Sequence, residues 1–195
     1  MKKILIISIL ALILIISSKT SGAQNRQLFD GGMMVHTGYM HGTIDEISYE
    51  AKGMNFGLGG VLRFHIGKHF RLGGEGYVST LKQMKNGSYI RTGCGGLTAD
   101  AYWRFGRWIP YLGVSVGGGK ASTLLMFDGS TYDWETEKNI IMHSSPFFFI
   151  TPNVGLEFAI TESVHLTIRV DRQFPISKND IPSGIRFYFG FIFAH

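Results

Sequence analysis

Residues 54–78 read MNFGLGGVLRFHIGKHFRLGGEGYV, two alternating runs joined by the turn Gly67-Lys68-His69. A period of two predicts β-strands, because successive side chains leave a pleated backbone on opposite sides. A connection of three residues predicts that the two strands pair antiparallel. The first run holds about a dozen residues, against roughly five or six in an ordinary strand, and a membrane-spanning strand needs ~9–11. The stretch therefore predicts a hairpin long enough to cross a bilayer.

The first 23 residues predict a secretory signal peptide. Lys2 and Lys3 precede an apolar run over residues 4–16, and Ser21-Gly22-Ala23 supplies small residues for cleavage before Gln24. The apolar run is shorter than the roughly 17–25 residues that a membrane-spanning helix needs. The rest of the 195-residue chain, 24–195, is long enough for one domain or one small barrel.

The charge and cysteine content narrow the class of protein. The predicted signal peptide removes Lys2, Lys3 and Lys19, so the formal charge falls from +5 to +2. The apparent basicity belongs mostly to the export signal, and a nucleic-acid partner is not expected. Cys94 is the single cysteine, so no internal disulfide can form. Closed backbone hydrogen bonding in a barrel would hold such a secreted domain together.

Alternation continues through the chain and predicts an all-β, eight-stranded antiparallel up-and-down transmembrane barrel. The connections alternate between short and long, which places three tight turns at one end and four loops at the other. The loops are predicted at residues 42–51, 81–88, 125–145 and 172–183. Gln24 to Asp30 is interpreted as a lead-in to the first strand, and the fourth strand as Tyr89 to Phe105. Pro152 lies within the sixth strand, and because proline cannot donate to a ladder it predicts a β-bulge.

One face of the predicted strands is polar, and the charged residues of that face decide which face is inside. They share one face, include no lysine, and nearly balance at five positive and four negative: Arg63, Arg71, Glu75, Asp100, Arg104, Glu157, Arg169, Asp171 and Arg186. A confined interior favours Arg, whose planar guanidinium pairs with carboxylates. The other face is apolar, with aromatic residues near the tight turns, as in an interfacial girdle: Phe64, Phe70, Trp103, Phe105, Phe158 and Phe193. The pattern predicts a charge network that plugs the lumen.

With its signal peptide, its asymmetry of turns and loops and its last strand, the chain from about residue 30 onward resembles the small eight-stranded outer-membrane β-barrels of the OmpA-transmembrane and OmpX type, a porin-like family. The last strand, Gly184 to Phe193, is similar to the family's aromatic assembly signal, with the rings Phe187, Phe189, Phe191 and Phe193. It departs from that pattern by continuing to Ala194-His195. The resemblance implies the outer membrane of a Gram-negative bacterium. It implies as partners outer-membrane lipids, lipopolysaccharide and the barrel-assembly machinery.

The sequence predicts no catalytic, metal or cofactor site. Its seven histidines form no tight ligand pair. The set His143-Ser144-Ser145 with Glu157 is similar to that of lipid A deacylases, but Glu157 follows Ser145 by twelve residues, roughly 40 Å along one strand. This separation excludes a hydrogen-bonded catalytic triad formed by these residues within one strand. The Asp128-Gly129-Ser130 segment fails the calcium-loop spacing.

The first hypothesis for function is a non-enzymatic, plugged outer-membrane barrel whose loops contact an unknown surface ligand or support the envelope. Three alternatives remain open at this stage. They are a narrow channel or transporter for small or apolar molecules, a membrane-embedded lipid-modifying enzyme, and a soluble barrel that binds a lipid.

Overall fold

The computed structural model describes residues 28–44, 49–82, 89–126, 140–176 and 183–195. Eight strands run through them: β1 Phe29–Ile44, β2 Tyr49–Ile66, β3 Phe70–Lys82, β4 Tyr89–Tyr102, β5 Trp108–Met126, β6 Ile140–Ala159, β7 Val164–Pro175 and β8 Ser183–Ala194. Each strand pairs antiparallel with the next in the chain, and β8 pairs with β1, so the sheet closes into a barrel. The predicted fold is confirmed. The predicted signal peptide, 1–23, lies outside the described residues.

The register shows how far the strands tilt. Following paired residues once around the barrel leads from His65 through β3 to β8 and β1 and back to Asn55 on β2, ten residues from the start. With ~3.3 Å per residue and ~4.8 Å between strands, this stagger corresponds to a tilt of about 41°. Each residue then rises about 2.5 Å along the barrel axis.

The two faces of the sheet are opposite in polarity. On β8, Phe187 and Phe189 are 54% and 49% exposed, whereas the intervening Tyr188 is 1% exposed. The same alternation holds on β2, where Phe64 points outward and Arg63 is buried. An outward apolar face with a polar interior is the arrangement of transmembrane barrels. The side-chain orientation predicted from the charged residues is therefore confirmed.

The tight turns lie where the alternation places them. Gly67 and Gly106 adopt φ values of +69° and +61°, the left-handed region that glycine enters without steric cost. The third turn follows Ala159, and the Thr161 hydroxyl accepts a hydrogen bond of 3.0 Å from the Val164 amide. Of the predicted girdle, four rings are exposed at this end and two are half-buried. The exposed rings are Phe64, Phe70, Phe105 and Phe193, and the half-buried ones are Trp103 and Phe158.

Several strand ends differ from the predictions. β1 begins at Phe29, so Asp30 belongs to a strand and not to a lead-in. β4 ends at Tyr102 rather than Phe105, because Phe105 bridges to Trp108 across the turn. At the other end β5 and β6 stay paired as far as Met126 and Ile140. The ends of the predicted loops are therefore strands, and the remaining loop residues, 45–48, 83–88, 127–139 and 177–182, lie outside the described residues.

The bulge predicted at Pro152 is wrong. Pro152 pairs with Val114 on β5 in an unbroken register. Toward β7 the ladder is interrupted between Ile150↔Phe174 and Asn153↔Asp171, yet the register is the same on both sides of the gap. No residue is inserted. Because proline lacks an N–H, the strand loses pairing locally and keeps its course.

Candidate functional site: the charged interior of the barrel

Eight of the nine predicted network residues lie buried inside the barrel. They are Arg63, Arg71, Glu75, Asp100, Glu157, Arg169, Asp171 and Arg186. The ninth, Arg104, follows the last residue of β4 and is half-buried at the turn end of the barrel. Its predicted place in a strand is wrong, because the chain leaves the sheet after Tyr102. The eight interior residues form two clusters at different depths.

The turn-side cluster consists of Asp30, Arg63, Arg71, Asp100 and Glu157. Arg63 donates from Nε to Asp30 at 2.7 Å, from Nη1 to Asp100 at 3.1 Å and from Nη2 to Glu157 at 2.9 Å. Arg71 donates to the same three carboxylates, at 2.6 Å to Asp100, 3.1 Å to Asp30 and 3.0 Å to Glu157. Two guanidinium groups are thus shared among three carboxylates. Charge-assisted bonds of this kind are the strongest that side chains make.

Two histidines adjoin the turn-side cluster. His65 Nε2 lies 2.9 Å from Asp30 Oδ2, and its Nδ1 lies 3.0 Å from the Tyr102 hydroxyl. His165 Nδ1 lies 3.5 Å from Glu157 Oε2. Both rings line the lumen at its turn end, where they extend the turn-side cluster toward the tight turns.

The middle cluster consists of Glu75, Tyr77, Arg169, Asp171 and Arg186. Arg169 donates from Nη1 to Glu75 at 2.6 Å and to the Tyr77 hydroxyl at 2.8 Å, and from Nη2 to Asp171 at 3.1 Å. Arg186 holds Asp171 through two bonds of 2.8 and 3.1 Å. The Tyr77 hydroxyl also donates to Glu75 at 2.7 Å. Two positive and two negative groups balance here.

Tyrosine rings fill the space between the guanidinium groups. The guanidinium carbon of Arg71 lies 5.1 Å from the centre of the Tyr111 ring. In the middle cluster, Arg169 and Arg186 lie 5.1 and 5.5 Å from the centre of the Tyr188 ring. Cations within ~6 Å of an aromatic face are attracted by the ring quadrupole. The interior is therefore packed by rings as well as by ion pairs.

Ion pairs in both clusters join opposite walls of the barrel. Arg63 on β2 reaches Glu157 on β6, and Arg169 on β7 reaches Glu75 on β3. In a ring of eight strands, β2 faces β6 and β3 faces β7. Each pair thus crosses the full width of the lumen, which in an eight-stranded barrel is just wide enough for side chains.

A third layer, toward the loops, is apolar. Its members are buried and point into the lumen: Met40, Leu81, Ile90, Phe147 and Phe149. The alternation assigns these positions to the inward face, but the sequence reasoning did not identify them as a layer. Together with the two charged clusters, they give the lumen three layers between the turn end and the loop end.

Asp30 is the interior residue that sequence reasoning missed. It is 1% exposed and bonds to both Arg63 and Arg71. Its position has the same parity as His36, which is buried on the inward face of β1. Parity alone gives the face of Asp30, but Gly31 and Gly32 carry no side chain that would indicate that the strand extends so far. With Asp30 included and Arg104 excluded, the described residues place four arginines and five carboxylates in the interior.

The described residues show no other assembled chemistry. No group of three or more His, Cys, Asp or Glu side chains among them is placed to hold a metal ion. Within the same part of the chain, no helix is long and apolar enough to cross a membrane. Ser144, Ser145 and Glu157 all belong to β6, at opposite ends of the strand. The side chain of His143 lies outside the described residues.

Comparisons with known proteins agree with this architecture. No protein-family model and no curated protein matches the sequence. Among solved structures, the chain is similar to Neisserial surface protein A, with a TM-score of 0.60 at 14% identity over 86% of this chain and 97% of that one. It is also similar to the outer membrane protein OprG of Pseudomonas aeruginosa, with a TM-score of 0.56 at 12% identity over 88% and 97% of the two chains.

A third similar structure is that of Ail, the attachment invasion locus protein of Yersinia pestis, in complex with the heparin analogue sucrose octasulfate. Its TM-score is 0.53 at 13% identity, over 86% of this chain and 99% of that one. Such low identities show a common fold. The chain therefore has the fold of the small eight-stranded outer-membrane β-barrels, the family that its sequence resembles.

Proposed function

We propose that this protein is a non-enzymatic integral outer-membrane barrel with a closed lumen, which acts through its outer surface and its loops. The observation that carries the proposal is the pair of ion pairs, Arg63–Glu157 and Arg169–Glu75, that connect opposite walls at two depths. A continuous water path would have to break both. Breaking a buried pair leaves uncompensated charge at a cost of roughly 3–5 kcal/mol.

Export by the signal peptide at residues 1–23, and insertion by the barrel-assembly machinery through the β8 rings, belong to the same proposal. The rings Phe187, Phe189, Phe191 and Phe193 point outward on β8, which supports their role as the assembly signal. The expected partners are outer-membrane lipids and lipopolysaccharide. The predicted loops would carry contacts with a surface ligand. The barrel of Ail has been seen with a sulfated sugar, and anionic sugars are a chemistry to test for these loops.

A conduit for apolar molecules is the alternative that one observation favours. The loop-side layer of Met40, Leu81, Ile90, Phe147 and Phe149 would suit an apolar solute. The two charged clusters beneath it lie across the remaining path. Passage of an apolar molecule along the axis would require it to cross buried ion pairs, so we favour the closed barrel.

Recordings in planar bilayers test the closed lumen. The purified full-length protein is expected to give no stable conductance steps. The double variant Glu75→Ala/Arg169→Ala, which removes the wall-to-wall pair of the middle cluster, serves as a matched comparison. Steady, reproducible openings of the unmodified protein would overturn the proposal. Recovery of the protein from cells in a detergent-free aqueous fraction would overturn its membrane location.

A further inference from the structure

A groove lies open on the outer wall of the barrel, on the flank formed by β2, β3 and β4. It has a volume of about 780 Å³, and its floor includes Gly60, Gly74 and Gly76, which carry no side chains. Its exposed walls are the side chains of Leu62, Phe64, Leu72 and Leu97. Because these walls are apolar and belong to the face that meets hydrocarbon, an occupant of the groove must be apolar.

Barrel packing does not require glycine at the floor of this groove. A Cβ atom added at Gly74 or Gly76 would approach no atom closer than 3.6 Å, and neither residue has a positive φ. Glycine also weakens a strand interior, and one reason for its presence there is the close approach of a ligand or of another backbone. The floor therefore suits an object that approaches the wall from outside.

Met33 protrudes from the wall beside the groove. Its side chain is 69% exposed, which is among the highest values for large apolar residues of the strands. Met33 on β1 is paired with Gly60 on β2, and Gly60 is paired in turn with Gly76 on β3. Met33 is not among the residues that line the groove. The protrusion and the groove are therefore neighbours on the same wall.

The protrusion and the groove lie at nearly the same depth in the membrane. Each residue rises about 2.5 Å along the barrel axis, and the stagger adds about 3 Å from each strand to the next. Measured from Ile66 at the turn end of β2, Met33 lies at about 12 Å and Gly74 at about 13 Å. Gly60 and Gly76 lie at about 15 and 18 Å. A long, flexible methionine side chain spans such differences.

Equal depth is the condition for a symmetric contact between two copies. Barrels that insert in one orientation form a closed pair about a two-fold axis along the membrane normal, and every contact in that pair occurs twice. Met33 lies about 8 Å around the wall from the middle of the groove. An axis midway between them brings Met33 of each copy over the groove of the other. Gly60 lies beside this axis, where it lets the two backbones approach.

We propose that two copies of this barrel associate in the membrane through this wall, with Met33 of each copy inserted into the groove of the other. Within a membrane, packing drives association, and small residues that allow close backbone approach are typical of the contact. An apolar band ~25 Å tall and about 20 Å wide buries about 1,000 Å² over both copies, the area expected of a biological interface. No exposed side chain of the groove is charged, so no like charges meet. The inference rests on the proposed membrane location.

Disulfide cross-linking in lipid vesicles tests the contact. The variant Met33→Cys/Gly76→Cys is made in full-length protein that carries Cys94→Ser, so that no other thiol is present. Within one chain the two positions are separated by β2, about 10 Å, which exceeds the ~7 Å between Cα atoms that a disulfide spans. Any disulfide between them therefore joins two copies. Mild oxidation at a low ratio of protein to lipid is expected to give a covalent dimer.

The matched control is Leu112→Cys/Val170→Cys in the same Cys94→Ser protein. These residues are also two strands apart, with Val154 paired between them, and they lie on the opposite wall of the barrel. Their depths, about 9 and 16 Å, are similar to those of the tested pair. The control is expected to give at least tenfold less dimer.

Energy transfer between fluorescently labelled copies, diluted with lipid, measures the strength of the contact. Gly76→Leu fills the groove and Met33→Ala removes the protrusion. Each is expected to raise the dissociation constant of the dimer at least tenfold. Val154→Leu, on the opposite wall, is expected to leave it unchanged.

Several outcomes would overturn the inference. They are equal cross-linking of the two cysteine pairs, no cross-linking of either pair, and an unchanged dissociation constant in both Gly76→Leu and Met33→Ala. A shift in electrophoretic mobility on boiling establishes that each variant is folded. A folded, non-conducting barrel that stays monomeric would refute this inference and leave the proposed function intact.

Discussion

Replacing Arg169 by leucine tests whether the interior charges act as compensated pairs. Arg169 gives Glu75 two hydrogen bonds, of 2.6 and 3.2 Å, and Glu75 is 7% exposed. In Arg169→Leu the carboxylate would lose both of these bonds and its paired charge, and would keep neutral hydroxyl partners such as that of Tyr77 at 2.7 Å. Leaving one member of a buried pair uncompensated costs roughly 3–5 kcal/mol. We expect the free energy of unfolding to fall by about that amount.

The double variant Glu75→Leu/Arg169→Leu distinguishes charge compensation from loss of packing. It removes both charges, and Asp171 keeps its two bonds from Arg186. Replacing a buried pair by apolar residues is often neutral or stabilising. The double variant should therefore be more stable than Arg169→Leu by several kcal/mol, about 3 or more.

Urea unfolding in lipid vesicles, followed by tryptophan fluorescence, measures these differences. Arg172→Leu is the matched control, because Arg172 lies on the same strand but points outward. Because Arg172→Leu leaves no buried carboxylate unpaired and places an apolar side chain on the lipid-facing side, it should not destabilise the barrel. A loss below about 1 kcal/mol in Arg169→Leu, or additive losses in the double variant, would refute the reasoning.

Three further predictions follow from the barrel. The unboiled, detergent-extracted protein should migrate differently from the boiled protein on a gel, and identical migration would argue against a closed membrane barrel. Leu97 lies about 12 Å from the turn end of β4, so Leu97→Arg should lower the free energy of unfolding by ~2–4 kcal/mol. Phe70 lies at the interface, so Phe70→Arg should lower it by only ~0–1 kcal/mol. Equal costs in vesicle unfolding would contradict the assigned depths. Gly73→Ala should cost ~1–3 kcal/mol, because the added Cβ would lie 2.6 Å from Arg63 Cα. Gly93→Ala, with no atom within 4 Å, should be neutral in the same assay.

The alternation seen in residues 54–78, repeated along the chain between short and long connections, was sufficient to predict the fold. A period of two admits two face assignments, and the absence of lysine among the charges of the polar face selected the correct one. Arg63, Glu75 and Arg169 are buried as that choice requires, while Phe64 and Phe187 point outward. This information is local, because each strand repeats the same pattern on its own.

The ends of strands could not be predicted in this way, because they depend on partners far away in the chain. Gly31 and Gly32 carry no side chain, so alternation gives no signal between Asp30 and the rest of β1. Asp30 is placed by pairing with Arg63 and Ala194. Arg104 continues the alternation of β4 in sequence, but the Phe105–Trp108 bridge has already turned the chain.

The partners within the interior depend on register and closure. Glu75 and Arg169 are 94 residues apart in sequence and meet because β3 and β7 face each other. The sequence around Arg63 and Arg71 does not predict that these two residues share three carboxylates. The candidate site was therefore predictable as a set of inward charges, and its two clusters required the closed barrel.

The central claim is that the apolar face contacts hydrocarbon while the charged face fills the axis. Nuclear Overhauser effects between acyl-chain protons and aromatic ring protons in lipid or detergent particles test it directly, without substitutions. Phe187, Phe189 and Phe191 should show cross-peaks to the acyl chains, and Tyr188 and Tyr77 should show none. Cross-peaks from Tyr188 and Tyr77, with Phe187 and Phe189 silent, would contradict the account.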